Sequence, residues 1–227
     1  MSINEREIAL DTETTGFKPH EGHRLVEIGC VEMINRVSTG NNFHVYINPE
    51  RDMPDGAFNV HGLSERFLSN KPKFAEIADD FLKFIGNSKL IIHNADFDMN
   101  FLNAELLWIR KREIPLAQAF CTLKYARKKF PGSPASLDAL CKRFDVDNSN
   151  RTLHGALLDA ELLADMYLEL MGGKQVTLEL GKDSSTTVGV SSDLNNIVKN
   201  EILTAREFSI FEEESLAHAE FMKKIKS

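Results

Sequence analysis

Residues Ala9–Gly16, with the sequence ALDTETTG, join a short apolar strand to two carboxylates that are separated by one residue. We expect the strand to cover Glu7–Leu10. Because successive strand side chains point to opposite faces, Asp11 and Glu13 project from one face and Thr12 points away. Neighbouring carboxylates repel each other unless a cation lies between them, and hard divalent ions such as Mg²⁺ or Mn²⁺ suit an oxygen-only pair. The stretch therefore predicts either a metal-binding strand end or a solvated turn.

A second acidic cluster lies at residues 93–98, where HNADFD follows the apolar run Lys89–His93. The run is short and continuous, which is typical of a buried central strand, and helical spacing resumes after it. Open α/β sheets bind ligands at the carboxyl ends of their strands, so Asp98 is a candidate partner of the first pair. Asp98 also falls in the first helical turn, where helix capping is the alternative, and Asp96 suits an N-cap better than a metal site.

The third cluster, residues 151–159 with the sequence RTLHGALLD, contains a histidine and an acid five positions apart. Five residues turn a helix by about 500°, so His154 and Asp159 cannot share a face of one continuous helix. A helix that begins at Gly155 resolves this, because His154 then lies on a loop and Asp159 projects from the helix. A rigid acid suits a metal ligand and a mobile histidine suits a proton acceptor. A solvated loop residue is the alternative for His154.

The rest of the chain predicts an α/β domain, because strand-like runs come first and helices then alternate with strands. Further strands are predicted at Leu25–Ile34, Asn42–Ile47 and Ala119–Cys121, with a tight hairpin connection at Ser38–Asn42. Helices are predicted at residues 74–85, 96–110, 124–130, 137–141 and 155–171. Together these elements predict a mixed sheet of about five strands.

The three clusters also carry a family resemblance. The motifs, in their order and spacing, are Asp11-x-Glu13, His93-Asn94-Ala-x-Phe97-Asp98 and His154-Gly-Ala-x-x-Asp159. They resemble the DEDDh branch of 3′–5′ exonucleases, and more narrowly the proofreading exonuclease subunits of bacterial replicative DNA polymerases. The resemblance covers roughly residues 5–173, with two departures: Cys121, where relatives often carry an acid, and Asp96, which is an extra acid beside the expected ligand Asp98. It implies a ribonuclease H-like α/β fold: a mixed five-stranded sheet with helices on both faces, plus a flexible C-terminal tail.

The resemblance further implies hydrolysis of the terminal phosphodiester with two divalent metal ions, Mg²⁺ or Mn²⁺. Asp11 would bridge both ions. Glu13 and Asp159 would hold the ion that activates water, and Asp98 would help to hold the other. His154 would take the proton from that water.

Contacts to the DNA 3′ end are predicted at five residues: Asp11, Glu13, Thr14, His61 and Asp159. Of these, Thr14 would contact the 3′ end and His61 would reach a phosphate or a base. Phe97 could stack on a base, whereas core packing suits Phe101 better. Nothing in the set reads a base edge, so we expect no sequence specificity. Mispaired ends would be preferred because they fray more easily.

The composition limits the classes of function. The chain has 227 residues, with 34 acids against 27 Lys and Arg residues and a net charge of −7. This balance argues against tight, non-specific DNA binding and indicates that a partner holds the enzyme on its substrate. No apolar run is long enough to span a bilayer and no export leader is visible, so we expect a cytoplasmic protein without membrane contact. Cys30, Cys121 and Cys141 are expected to be reduced core residues.

The domain boundaries follow from shifts in composition. We predict an exonuclease domain at residues 1–173, a clamp-binding-like peptide at 174–181, a flexible linker at 182–196 and a polymerase-binding tail at 197–227. The tail is too small to form its own core, and a disordered tail is the alternative. The sequence leaves open whether a small stabilising subunit also binds.

The peptide QVTLEL after the domain looks like the short motif with which bacterial proteins bind the sliding clamp. Gln175 would hydrogen-bond at the rim of the clamp groove, and Leu178 and Leu180 would insert into it. The alternative is a frayed extension of the last helix. The peptide therefore predicts the sliding clamp as a second protein partner.

Two other functions stay open at this point. A DEDDh ribonuclease that trims RNA 3′ ends would use the same acids, but it would not need a clamp-like peptide and a tethered tail. A non-catalytic scaffold would have no reason to keep clustered acids that repel each other. Comparing hydrolysis of single-stranded DNA with that of RNA, in a metal-dependent assay, separates the three.

Overall fold

The computed structural model describes residues 5–149, 151 and 153–173. The strands are β1 Arg6–Thr14, β2 Leu25–Ile34, β3 Val37–Tyr46, β4 Lys89–Ile92 and β5 Ala119–Cys121. The helices are α1 Asp55–His61, α2 Glu65–Leu68, α3 Phe74–Ile85, α4 Ala95–Trp108, α5 Thr122–Lys129, α6 Leu137–Phe144 and α7 Ala156–Leu170. The predicted peptide, linker and tail beyond residue 173 lie outside the described residues and stay predictions.

The five strands form one sheet in the order β3-β2-β1-β4-β5. β1 pairs antiparallel with β2 and parallel with β4, while β3 and β5 extend the sheet antiparallel and parallel, respectively. The predicted mixed five-stranded sheet is confirmed. Because β1 and β4 are parallel, their carboxyl ends meet at one edge of the sheet, which is where ligands bind in open α/β sheets.

Helices cover both faces of the sheet, because its central strands are apolar on both sides. Leu10 packs in a core with α3 and α4 on one face. Ala9 packs in a second core with α5, α6 and α7 on the other. The alternation continues into the acids, so Asp11 and Glu13 lie on the α7 face and Thr12 lies on the α4 face.

The first strand is longer than predicted. It runs through Thr14, so the acids lie within the strand and not after it. Asp11 pairs with Gly29 of β2, and Glu13 pairs with Glu27 before a bulge shifts the register. The two acids are therefore held by a regular backbone ladder, because the long β2 strand continues alongside them.

The predicted hairpin connection at Ser38–Asn42 is wrong. The chain turns at Asn35 and Arg36, whose φ angles of 52° and 68° are those of a two-residue type I′ turn. β3 therefore begins at Val37, and its polar first half is an exposed edge strand. Polar composition alone does not separate a turn from such an edge, which is why the connection was misplaced.

Helices α1 and α2 lie where no element was predicted. They have 7 and 4 residues, too few to show a helical apolar period. Their signals are at the ends: Pro54 precedes α1, Gly62 ends it with a φ of 72°, and the Ser64 hydroxyl accepts a hydrogen bond from Phe67 N–H. α1 matters for the site because His61 is its last residue.

The burial of the cysteines largely follows the prediction that they are core residues. Cys30 and Cys141 are buried and unpaired, as predicted, whereas Cys121 is half-buried at the edge of the core.

Among the helices of the described part of the chain, none has the length and apolarity needed to cross a membrane.

Candidate active site

Four carboxylates from three elements converge at the carboxyl end of β1. Asp11 and Glu13 come from β1, Asp98 comes from α4 and Asp159 comes from α7. All four line one cavity of about 320 Å³, together with His154. Ligand atoms of Glu13, Asp159 and His154 lie within 4.8 Å of one another. The structure thus brings together the five predicted residues, and this set of mostly oxygen donors fits hard divalent cations.

Asp98 reaches the cluster from a strained turn. Asn94 joins β4 to α4 in the left-handed conformation, with a φ of 69°. Asp98 is 2% exposed and accepts a hydrogen bond of 2.7 Å from the Thr12 hydroxyl. Thr12 lies on the face opposite Asp11, as predicted, yet it contributes to the site by orienting Asp98. Sequence periodicity placed Thr12 on the far face and gave no sign of this contact.

Asp96 is a surface acid. The N-cap of α4 is Asn94, so the prediction that Asp96 caps this helix is wrong. The Asp96 carboxylate instead forms an exposed ion pair of 2.7 Å with Lys124 of α5. Two acids in one helical turn thus have different surroundings, and only Asp98 enters the cavity.

Burial raises the pKa values of three of the clustered acids, and repulsion from neighbouring carboxylates adds to the shift at two of them. The pKa of Asp11 is raised by burial and then by the charges of Asp98, Glu13 and Asp159. The pKa of Glu13 is raised to about 8, by burial first and then by Asp159 and Glu27. Burial raises the pKa of Asp98 to about 7 in spite of the hydrogen bonds that it accepts. Negative charge is therefore in excess here, and bound cations would relieve it.

A glycine on β2 lets α7 bring Asp159 close to β1. Gly29 is the neighbour of Asp11 in the antiparallel ladder. A β-carbon added at Gly29 would lie 2.3 Å from backbone atoms of Ala156 and Leu157, in the first turn of α7. The helix backbone therefore packs directly on the strand, which only glycine allows.

His154 lies on the loop before α7, as predicted. Gly155 is the N-cap and α7 begins at Ala156. The backbone N–H of His154 donates to the Val60 carbonyl at 3.1 Å, while its side chain is 49% exposed. Its Nδ1 lies 3.2 Å from Oδ2 of Asp159. The imidazole is thus tethered at the mouth of the cavity and open to solvent.

Arg151 is the site residue that the sequence patterns did not single out. Its Nε and Nη2 donate to the two oxygens of Asp159, at 2.5 and 2.7 Å. Its Nη1 donates to Asp138 at 2.7 Å, and Nη2 lies 2.8 Å from Nδ1 of His154. The side chain is 9% exposed. One arginine in a loop has no periodicity, so only its position eight residues before a candidate metal ligand could have drawn notice.

A second, more apolar cavity of about 360 Å³ adjoins the acids and is lined in part by Thr14, Phe97 and His61. His61 is 5% exposed, and burial lowers its pKa. Its Nδ1 accepts a hydrogen bond of 3.0 Å from Leu63 N–H, which leaves the ring proton on Nε2. Within the described residues Nε2 has no hydrogen-bond partner. Buried polar groups normally have a hydrogen-bond partner, so Nε2 is a donor available to an acceptor on a ligand or to water.

Phe97 and Phe101 of α4 differ in burial, as expected. Phe101 is 1% exposed and belongs to the core beneath the sheet. Phe97 is half-buried, packs on Phe101 at 5.1 Å between ring centroids, and lines both cavities. Only Phe97 is therefore placed to meet a ligand.

The chain is similar to known exonucleases along most of its length. A family profile described as Exonuclease, of the RNase T type, matches residues 8–167. A protein of Rickettsia conorii called DNA polymerase III subunit epsilon is 53% identical over 228 residues, which cover 97% of this chain and 96% of that protein.

Two solved structures resemble the fold. Exonuclease X, in complex with 5′ overhanging duplex DNA, is 27% identical with a TM-score of 0.56, over 73% of this chain and 90% of that one. The nuclease domain of 3′hExo, a DEDDh family member bound to rAMP, is 17% identical with a TM-score of 0.64, over 75% of this chain and 93% of that one. The second similarity concerns the fold alone and confirms the ribonuclease H-like architecture.

Proposed function

This chain belongs to the exonuclease family of the RNase T type and is a metal-dependent 3′–5′ exonuclease; from that premise we propose how its residues act and which partners it serves. Like the DNA polymerase III epsilon subunits to which it is similar, it is a proofreading enzyme that removes mispaired 3′-terminal nucleotides. One observation carries the mechanism: four carboxylates and an exposed histidine line one cavity at the end of β1.

Two divalent cations, Mg²⁺ or Mn²⁺, are assigned to the four carboxylates. Asp11 would hold both, Glu13 and Asp159 would hold one, and Asp98 would help to hold the other. Bound there, they would lower the cost of negative charge on the attacking and leaving oxygens of the phosphodiester. The raised pKa of Glu13 supports the assignment, because burial raises it first and the negative charges of Asp159 and Glu27 raise it further, so a cation beside Glu13 would be favourable.

His154 is assigned the role of general base, which accepts a proton from the attacking water. Nδ1 lies 3.2 Å from Oδ2 of Asp159, so this ring nitrogen would accept the proton from water held beside that carboxylate. The ring is half-exposed and can pass the proton to solvent after each turnover. The loop position of His154 supports this role, since the ring can adjust to the substrate while the carboxylates stay fixed.

The terminal nucleotide is assigned to the apolar cavity beside the acids. His61 Nε2–H would donate to an oxygen of the nucleotide, and Thr14 would contact its sugar end. Phe97 would lie against the base, since it borders both cavities. These contacts accept any base, so selection of mispaired ends would come from their easier fraying and not from base readout.

The decisive measurement is metal-dependent nucleotide release from matched DNA substrates. We expect mispaired and single-stranded 3′ ends to be degraded at similar rates, and about tenfold or more faster than paired ends, because unpairing costs a few kcal/mol. Chelation of divalent cations should abolish release. The same oligonucleotide in RNA is the matched control. Faster degradation of RNA, or equal rates on paired and mispaired DNA, would count against proofreading.

The protein partners are proposed from the sequence beyond the domain. Gln175, Leu178 and Leu180 would bind the sliding clamp, and residues 197–227 would bind the polymerase catalytic subunit across the linker at 182–196. Support comes from the R. conorii relative, whose similarity covers 97% of this chain and so extends past the exonuclease domain. The acidic net charge supports it too, since a weak DNA binder needs tethering. Such a complex would work in the bacterial cytoplasm, where a small stabilising subunit could also join.

Two variants separate the two partners. Deleting residues 181–227 should abolish co-purification with the polymerase subunit, while exonuclease activity on free oligonucleotides and binding to the clamp persist. Gln175→Ala with Leu178→Ala should do the reverse, losing the clamp and keeping the polymerase. Pull-downs with each purified partner measure both. A deletion variant that still binds the polymerase would remove the tail proposal.

A further inference from the structure

The surroundings of Asp159 point to a role for Arg151 that rests on the proposed function. We propose that the Arg151 guanidinium is a resident counter-cation, which occupies Asp159 and the basic nitrogen of His154 until a divalent cation displaces it. Arg151 is thereby a positioning residue: it acts on the ligand and on the base, and it does not act on the substrate.

The first support is direct competition at Asp159. Both carboxylate oxygens accept hydrogen bonds from Arg151, at 2.5 and 2.7 Å, and the carboxylate is 3% exposed. A divalent cation needs lone pairs of the same oxygens. Guanidinium and cation also repel each other at such short range, and this repulsion is strong where water is excluded. Asp159 would therefore bind a cation less tightly while both of its oxygens are paired with Arg151.

The second support is the hydrogen-bond chemistry of His154. His154 Nδ1 lies 3.2 Å from Asp159 Oδ2 and 2.8 Å from Arg151 Nη2. The first contact would need a proton on Nδ1, whereas the shorter one, to a group that has only donors, is a hydrogen bond in the tautomer with the lone pair on Nδ1. The remaining ring proton of a neutral imidazole then lies on Nε2. A base whose lone pair is engaged cannot accept a proton from water. While Arg151 is in this position, the nitrogen that faces the acids is idle.

The third support is a second anchor for the guanidinium. Nη1 of Arg151 donates to Asp138 at 2.7 Å, and Asp138 is 58% exposed at the edge of the cavity. Asp138 is also held by the Asn148 side-chain amide at 3.0 Å. When a cation takes Asp159, Arg151 can therefore retain Asp138 and move by a short swing towards solvent. The charge does not have to be buried without a partner at any point.

The consequence is that loading of the cation and activation of the base are coupled. A cation at Asp159 removes Arg151 from both partners at once, which returns the Nδ1 lone pair to the cavity. The same competition weakens the apparent affinity for the cation, because only the fraction of molecules with Arg151 displaced can bind it.

The test measures Mn²⁺ affinity by calorimetry on the full chain without DNA. Arg151→Met should bind Mn²⁺ about tenfold more tightly than the unaltered chain, since it removes the competitor. Arg151→Lys keeps the charge but loses the two-pronged pair, and it should also bind more tightly, by a smaller factor. Arg24→Lys is the matched control, because Arg24 forms the same two-pronged pair with Glu105, at 2.7 Å for both bonds, outside the carboxylate cluster. It should leave Mn²⁺ affinity unchanged.

Imidazole ¹⁵N shifts of His154 provide a second readout that a merely structural arginine would not change. Mg²⁺ added to the unaltered chain should shift the signal of Nδ1 towards that of Arg151→Met. Unchanged or weaker Mn²⁺ binding by Arg151→Met, or tighter binding by the methionine variant alone, would overturn the proposal. If the unaltered chain binds no Mn²⁺, the proposed metal site itself fails, and that outcome is distinct from the failure of the Arg151 role.

Discussion

Replacing Asp11 with alanine is expected to lower nucleotide release by at least about 10³-fold while the protein still folds. Asp11 is assigned to both cations, which together supply several kcal/mol of transition-state stabilisation, and each 1.36 kcal/mol is a factor of ten in rate. Folding should tolerate the change, because the raised pKa of Asp11 reflects burial and repulsion from three other acids in the folded state. Losing this charge removes an unfavourable term near neutral pH. Steady-state nucleotide release and thermal unfolding measure the two effects.

Asp96, two residues from the candidate ligand Asp98, provides a matched control. Asp96→Asn removes an exposed acid of α4 that pairs with Lys124 and does not line the acidic cavity, so its rate should stay within about twofold of the unaltered chain. Asp11→Asn, which keeps the shape of the side chain, should be as inactive as Asp11→Ala. Cleavage at the normal rate by either Asp11 variant would refute the assignment of this acid.

Gly29→Ala is expected to impair both stability and activity. The added methyl would lie 2.3 Å from the backbone of α7, and a backbone cannot rotate out of the way as a side chain can. Overpacking of this kind costs about 1–3 kcal/mol, and we expect a loss at the upper end of that range. A shift of α7 by about 1 Å would also move Asp159 relative to β1, and misplacement on that scale costs about 10²-fold in rate. Chemical unfolding and nucleotide release should therefore both change.

Gly56→Ala is the control for the stability effect. The same methyl added to α1 meets nothing within 4 Å, and its helical position favours alanine. Its unfolding free energy should stay within about 0.5 kcal/mol or rise slightly. If Gly29→Ala unfolds and cleaves like the unaltered chain, α7 can retreat from β2 without moving Asp159, and the close approach is not what positions the ligand.

The five candidate site residues were predictable because each belongs to a short motif with a physical meaning. Asp11 and Glu13 share a strand face by alternation, and Gly155 explains how His154 and Asp159 can act together. Asp98 needed only its place after a buried strand. Motifs of this kind are local, so all of their residues lie close together in the sequence and can be recognised there.

Arg151, Gly29 and Thr12 could not be recognised in the same way, because each acts through a residue far away in the chain or on another element. Arg151 matters only once the loop folds back on Asp159, and Gly29 matters only where α7 crosses β2. Thr12 contacts Asp98 across 86 positions of sequence. Such roles depend on packing between elements, which residue spacing does not encode.

The error in the predicted position of the β2–β3 turn has a similar physical cause. Asn35 and Arg36 form the connection because both adopt positive φ, whereas the more polar segment after them pairs along the sheet edge. Ser38 and Asn42 pair with β2 on either side of a bulge, so the chain continues along the sheet edge past Gly40 instead of turning back there. Edge strands are where composition is the weakest guide, since neither face needs to be apolar.

The order in which the ligands occur along the chain has a consequence for biosynthesis. Asp11 is synthesised well before Asp159, which belongs to α7, the last helix of the described residues. A nascent polypeptide therefore holds an incomplete set of ligands until nearly the whole domain has left the ribosome. Products that terminate before α7 lack Asp159 and are expected to be inactive, whereas products that terminate beyond residue 173 keep all four carboxylates.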